Sequence, residues 1–136
     1  MAGAVGTASG SRLFIGVIAG IAAGLSAAAL CFAAMRAFWP GYEAAIPQKS
    51  YDFVMLIARL LIGLISVVAA AATATRAARD NGQAGMWVGW LVLAASLPNH
   101  LYLIWNDYPA WYHFAYLGYI VPAARLTVAG MVPAVK

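Results

Sequence analysis

From Leu13 to Met35 the chain runs through glycine, alanine, aliphatic and aromatic residues without one charged side chain. A helix of that length crosses a bilayer, whose ~30 Å hydrocarbon core needs about 20 mainly apolar residues. Three more segments have this character, so spans are predicted over 13–38, 51–75, 86–105 and 111–132. In hydrocarbon a backbone must satisfy its own hydrogen bonds, and a single segment does so only as a helix. The expected fold class is therefore all-α: an integral membrane protein built as a four-transmembrane-helix bundle. It forms one domain over 12–136, behind a flexible tail over 1–11 that is rich in Gly, Ala and Ser. The overall balance, 65% hydrophobic and 9% charged, compares with roughly a quarter charged in soluble domains. In water such a chain would expose large apolar patches.

The first run exceeds the ~7 to 15 apolar residues of a signal peptide, and Leu30, before Cys31, is bulky where a lipoprotein cleavage site wants a small residue. It is read as a retained helix. Each span ends on turn residues: Trp39-Pro40-Gly41, then Arg79-Asp80-Asn81-Gly82, then Asn106-Asp107-Tyr108-Pro109. Loop cations set the orientation. With the N-terminus inside, Arg12, Arg76, Arg79 and Lys136 are cytoplasmic, while only Arg36 and Lys49 lie outside. Both termini are thus expected in the cytoplasm. The acids, which played no part in that choice, divide as Glu43, Asp52 and Asp107 outside and Asp80 inside. The net charge of +4 comes from scattered residues with no basic stripe, so nucleic acid is not an expected partner. Cys31, the single cysteine, reads as a small buried hydrophobe.

Gly16, Gly20, Gly24 and Ala28 recur at every fourth position and form a small-residue ridge on the first helix. Such a ridge lets a second backbone come close, and in lipid it is packing that drives helix association. The second helix, with its alanine-rich stretch Val67 to Ala74, is one candidate for the contact; another subunit is the other. Pro98 and Pro122 each remove a backbone donor inside a span and can kink it. An aromatic collar of Trp39, Tyr42, Tyr51, Trp105, Tyr108, Trp111 and Tyr112 marks the outer interface, either as plain anchoring or as a ligand or partner surface.

The polar content of the spans concentrates in LPNHLYLIWNDYPAWYHF, residues 97–114, and in two arginines. A charge at mid-membrane costs at least ~2.5 kcal/mol by insertion scales. Arg125 lies near the inner end of its helix and can extend its side chain to the headgroups. Arg59 sits about 12 Å in from the outer end and needs a partner. Asn99 and His100 fall at a similar depth, about 8 to 9 Å below Trp105. A cluster of Arg59, Asn99 and His100 is therefore predicted in the outer half, with Asp52 or Asp107 as counter-charge. Asn99, Tyr102 and Asn106 share one stripe, and Tyr112, Tyr116 and Tyr119 another; the two are expected to face each other, either as a structural hydrogen-bonded seam or as contacts to a quinone, lipid or pigment. His100 and His113 invite a haem reading, but on an α-helical rise their depths differ by roughly 6 Å. The candidate intramembrane contact residues are thus Arg59, Asn99, His100, Tyr102, His113 and Tyr116.

Catalytic patterns do not occur: no Gly-x-Ser-x-Gly, no His-Glu-x-x-His, no phosphate loop and no cysteine–histidine pair. The chain is expected not to be an enzyme, no metal site is expected, and no cofactor is required by the sequence. The first helix carries no acid for a proton-coupled exporter. The shared tripeptides Ala58-Arg59-Leu60 and Ala124-Arg125-Leu126 are too short to establish an internal repeat.

Trp90, Asn99, the turn Pro109-Ala110-Trp111-Tyr112 and Pro122-Ala123-Ala124 together resemble a group of small bacterial four-helix inner-membrane proteins. The resemblance implies the four-helix fold and a bacterial inner-membrane location; such families carry no assigned activity and transfer no functional residues. Three functions fit the sequence. The leading expectation is a non-catalytic accessory or scaffold subunit of a larger membrane complex, of respiratory or photosynthetic type, with other membrane subunits and lipids as partners. The second is a lipid-, quinone- or pigment-binding membrane protein, and the third a small oligomeric transporter with proline kinks as moving parts.

Overall fold

The structure is a computed structural model that describes residues 10–132. The predicted tail lies almost wholly outside the described residues, as does Lys136. Within them the chain is helical without strands: α1 (Gly10–Phe38), α2 (Pro40–Ala45), α3 (Phe53–Ala78), α4 (Gln83–Pro98) and α5 (Ala110–Met131), with a π-helical turn at Asn99–Leu103 and a 3-10 turn at Trp105–Asp107 between the last two. Three helices, α1, α3 and α5, are long and apolar enough to cross a membrane.

The predicted span over 86–105 takes a different form. α4 ends at Pro98, and the rest of that segment is wound as the π turn and the start of the 3-10 turn. Proline has no N–H to give the preceding turn and its ring crowds that turn. Directly after Pro98 the winding widens, and the Ile104 amide donates to the Asn99 carbonyl at 3.0 Å, the i to i+5 bond of a π-helix. Pro122 has no such effect; α5 is continuous through it.

Local chemistry sets the helix ends. Asp52 caps α3, its side chain accepting from the Met55 amide at 2.8 Å, which satisfies one of the orphan donors of the first turn. Arg79 closes the same helix in a left-handed conformation. The Asp80 carboxylate then accepts from the Gly82 and Ala84 amides at 2.9 and 2.8 Å. Gly82 has φ +89°, and a Cβ there would collide with Val128, so this α3–α4 turn requires glycine.

α3 is the central helix and packs against α1, α4 and α5. Its seam with α1 is made by the glycine ridge. Gly16 faces Ala78, Gly20 faces Ala70, Ala74 and Val88, and Gly24 faces Ala70 and Ser66. The ridge therefore packs within the chain. A second pair of glycines on α4 works in the same way: Gly85 lies against Thr75 and Val128, and Gly89 against Ala124. This spacing, small-xxx-small again, went unremarked in the sequence. The close α1–α3 contact does not run the whole length of the helices. Toward the C-terminal end of α1 the ridge position passes from Gly24 to Ala28 and then Phe32, while α3 changes from alanines to Ile62 and Arg59, and a cavity opens between them.

A methyl group added at Gly20 would stand 2.6 Å from the Ala70 carbonyl oxygen and 2.8 Å from the Ala74 Cβ. Gly20→Ala is expected to destabilise the bundle by about 1–3 kcal/mol through overpacking. Gly118, with open space around it, is the control, and Gly118→Ala is expected to be neutral or to gain up to ~1 kcal/mol. Unfolding in mild detergent checks both, and equal effects would contradict the seam.

Candidate functional site

The helical rise places Arg59 about 9 Å into α3 from Phe53. Ile62, Gly63 and Ser66 follow at i+3, i+4 and i+7 on the same face. These residues form one wall of a cavity of about 300 Å³, with Leu25, Ala28 and Phe32 of α1 opposite. Asn99 and His100 of the π turn, and Tyr112 and Tyr116 of α5, complete it. The structure thus brings Arg59, Asn99, His100 and Tyr116 to a single site. Leu25 and Asn99 are exposed as well as lining, so the cavity reaches the outer surface of the bundle between α1 and the π turn.

Among the described residues Arg59 has no acidic partner. Its guanidinium donates to the Tyr42 hydroxyl and, at 2.9 Å, to the Tyr108 hydroxyl. The rings of Tyr51, Phe32 and Tyr108 lie 4.9, 5.2 and 5.2 Å from Cζ, within cation–π range. The expected counter-charges are engaged elsewhere. Asp52 caps α3 and Asp107 accepts from Lys49 at 2.7 Å; Glu43, which is not among them, binds Arg36 through two bonds of 2.6 and 2.9 Å. In each case a nearer donor takes the carboxylate: a backbone amide three residues on, a loop lysine, or an arginine across the Trp39–Pro40 corner. The phenols do not supply the missing charge. Burial raises the Tyr42 phenol and pushes Tyr108 up to about 12, in both cases outweighing the pull of Arg59. The cage is neutral, and Arg59 Nε is buried within it without a partner.

The two histidines meet directly, contrary to the depth difference expected from a uniform α-helix. Their Nδ1 atoms are 3.0 Å apart, and His113 Nε2 lies 3.2 Å from the Trp105 carbonyl oxygen. The π turn and the 3-10 turn are the reason, since α-helical rise does not apply between Asn99 and Ala110. A carbonyl can only accept, so His113 carries its proton on Nε2. With both rings neutral, His113 Nδ1 is then an acceptor and His100 Nδ1 the donor. His100 Nε2 is left with a lone pair and, among the described residues, no partner. An Nδ1–Nδ1 hydrogen bond leaves no gap for iron between the rings, so these histidines do not form an axial haem pair. Stacking holds the His100 ring on Tyr116 at 4.3 Å and the His113 ring on Trp105 at 4.8 Å.

The predicted tyrosine and asparagine stripes do not face each other. Tyr102 is 83% exposed and Asn106 is exposed, because the widened turn rotates the chain after Asn99 out of α-helical register. Tyr119 turns instead to α3, donating to the Leu60 carbonyl at 3.0 Å over Gly63, where a Cβ would strike its hydroxyl. Tyr42, Tyr51 and Tyr108, which the sequence leaves open between interfacial anchoring and a ligand or partner surface, are site residues, as is Phe32, which the sequence gives no role. Their signal was present in the dense collar, at the end of the bundle where Arg59 enters. No protein-family model, curated protein or solved structure matches the chain.

A charge-assisted hydrogen bond in this setting is worth about 1.5–3 kcal/mol. A double-mutant cycle of Arg59→Met with Tyr108→Phe should therefore show coupling of at least ~1 kcal/mol, while Arg59→Met with Asp52→Ala should add within ~0.5 kcal/mol. Asp52→Ala alone should cost about 1 kcal/mol as a lost helix cap. Strong coupling to Asp52 would restore the acid as the counter-charge.

Proposed function

We propose that this chain is a non-catalytic integral membrane protein that holds an amphipathic small molecule, of the lipid or quinone class, in the cavity beside Arg59. One observation carries the reading: a buried, unpartnered guanidinium nitrogen belongs to a residue lining a mainly apolar cavity that reaches the lipid-facing surface. An ionisable residue inside a membrane marks a functional site by default. The cavity volume of about 300 Å³ is at the small end for ligand pockets, which run from ~300 to 1,000 Å³. It suits a headgroup and the first carbons of a chain, with the remainder extending into lipid.

This reading places the protein in a bacterial inner membrane with four crossings, α1, α3, α4 continued by the π turn, and α5. Residues 83–103 supply the length of the third crossing. Both termini are cytoplasmic, so that Arg12, Arg76 and Arg79 lie inside and the cavity opens in the outer half. The glycine ridge, one of several features behind the accessory or scaffold reading, packs on α3.

The test is native mass spectrometry of the protein released from its own membrane in mild detergent, alongside Ala28→Phe, which fills the cavity. A small amphiphile is expected at one copy per chain, and at less than a tenth of that occupancy in the variant. A protein that emerges without a ligand, or with the same molecule at the same occupancy in both forms, would overturn the proposal.

A further inference from the structure

The chemistry of the headgroup follows from what the cavity offers, granted the reading that an amphiphile occupies it. We infer that the bound molecule carries an anionic oxyacid group, a carboxylate or a phosphate, which binds the guanidinium of Arg59.

Three features lead there. First, the cation is held by dipoles and ring faces alone, with Tyr42, Tyr108, Tyr51 and Phe32 around it and the Tyr112 phenol also facing it. These groups replace hydration, but they leave the full positive charge uncompensated in a region of low dielectric. Second, the carboxylates of that end of the bundle are committed: Glu43 to Arg36, Asp107 to Lys49 and Asp52 to the start of α3. None can swing to Arg59 without abandoning a nearer partner. Third, the remaining capacity of the site is asymmetric. Arg59 Nε has a proton to donate and nothing to receive it, while His100 Nε2, fixed as an acceptor by the chain from Trp105 through His113, has a lone pair to offer.

Ligand classes differ in how they meet these demands. A quaternary ammonium or primary amine headgroup is repelled by the cation. An alcohol or a neutral quinone supplies a hydrogen-bond oxygen but no charge. An oxyacid supplies acceptor oxygens for the guanidinium and the missing negative charge; a singly protonated phosphate monoester adds a hydroxyl that His100 Nε2 accepts, which a carboxylate lacks. The apolar α1 wall, Leu25, Ala28 and Phe32, takes the beginning of the chain. A free fatty acid and an acidic phospholipid share the anionic acceptor oxygens, and phosphatidic acid adds the hydroxyl.

The probes are oleate, oleyl alcohol, oleylamine, dioleoyl phosphatidic acid and a short-chain benzoquinone, added to delipidated protein in neutral detergent and read by tryptophan fluorescence and thermal shift. Oleate or phosphatidic acid should bind at least tenfold more tightly than oleyl alcohol, with oleylamine weaker still; the tighter of the two acids names the source. Arg59→Gln should bring oleate and oleyl alcohol to equal affinity, and Arg59→Lys should retain most of the preference. If Arg59→Gln does not fold, the comparison of oleate with oleyl alcohol on the native chain and on Arg59→Lys decides alone. Equal binding of oleate, phosphatidic acid and oleyl alcohol, or tighter binding of the quinone, would refute the anionic headgroup and leave the amphiphile site standing. No binding by any of the five would refute the site itself.

Discussion

Two helices in lipid approach only as closely as the side chains between them permit, and most of this structure follows from how that distance changes along α1 and α3. Over the Gly16–Gly24 half of the seam, glycine on one helix meets alanine on the other, and the contact is so tight that a single methyl at Gly20 would press on a backbone carbonyl. Over the other half the same line of positions carries Ala28 and Phe32, facing Ile62 and Arg59. The backbones cannot hold the close spacing past side chains of that size. Packing in lipid is driven by fit rather than by water, so there is no hydrophobic pressure to collapse the space that results. The cavity is thus a consequence of a size gradient along one helix face, anchored by a seam that cannot slide without opposing glycine to something larger.

The cation in that space is stable without an acid because several weaker interactions converge on it. A guanidinium placed mid-membrane costs ~2.5–3.5 kcal/mol by insertion scales. Two hydrogen bonds involving a charged group, at about 1.5–3 kcal/mol each, offset that cost before the ring faces are considered. A neutral cage therefore suffices to hold Arg59 in place and leaves its charge available. A carboxylate partner would have done the first and prevented the second.

How much of this was legible in the sequence depended on whether a uniform helix was a good approximation. Where it was, the reading held: the apolar runs located α1, α3 and α5, the turn at Arg79–Gly82 fell where Asp80 and Gly82 require it, and Arg59, Asn99 and His100 reached one site as their depths implied. Where it was not, inference failed. The rise of an α-helix put His100 and His113 at different depths and set Tyr102 toward the tyrosine stripe, but a π turn after Pro98 brought the histidines into contact and turned Tyr102 outward. Such a turn leaves no mark beyond the proline, since it depends on which carbonyl the freed backbone finds. The assignment of Asp52 as counter-charge failed for a different reason. An Asp at the start of an apolar run is first of all a helix cap, and a backbone donor three residues away outcompetes a guanidinium two turns away.

The π turn also decides what His100 can do. In an α-helical continuation neither histidine would meet the other, and each ring could take either tautomer. Here the Trp105 carbonyl can only accept, which fixes the proton on His113 Nε2; that makes His113 Nδ1 the acceptor for His100. Protonation of His113 on Nδ1 would set two donors against each other at 3.0 Å, so His113 keeps this edge as an acceptor for as long as the pair stays neutral. A backbone carbonyl some distance from the cavity thereby determines that His100 Nε2 is an acceptor. Together with Arg59, which can only donate, the site has two polar groups of opposite hydrogen-bonding sense. That asymmetry, rather than the volume or the apolar walls, gives a space between helices its capacity to distinguish one headgroup from another.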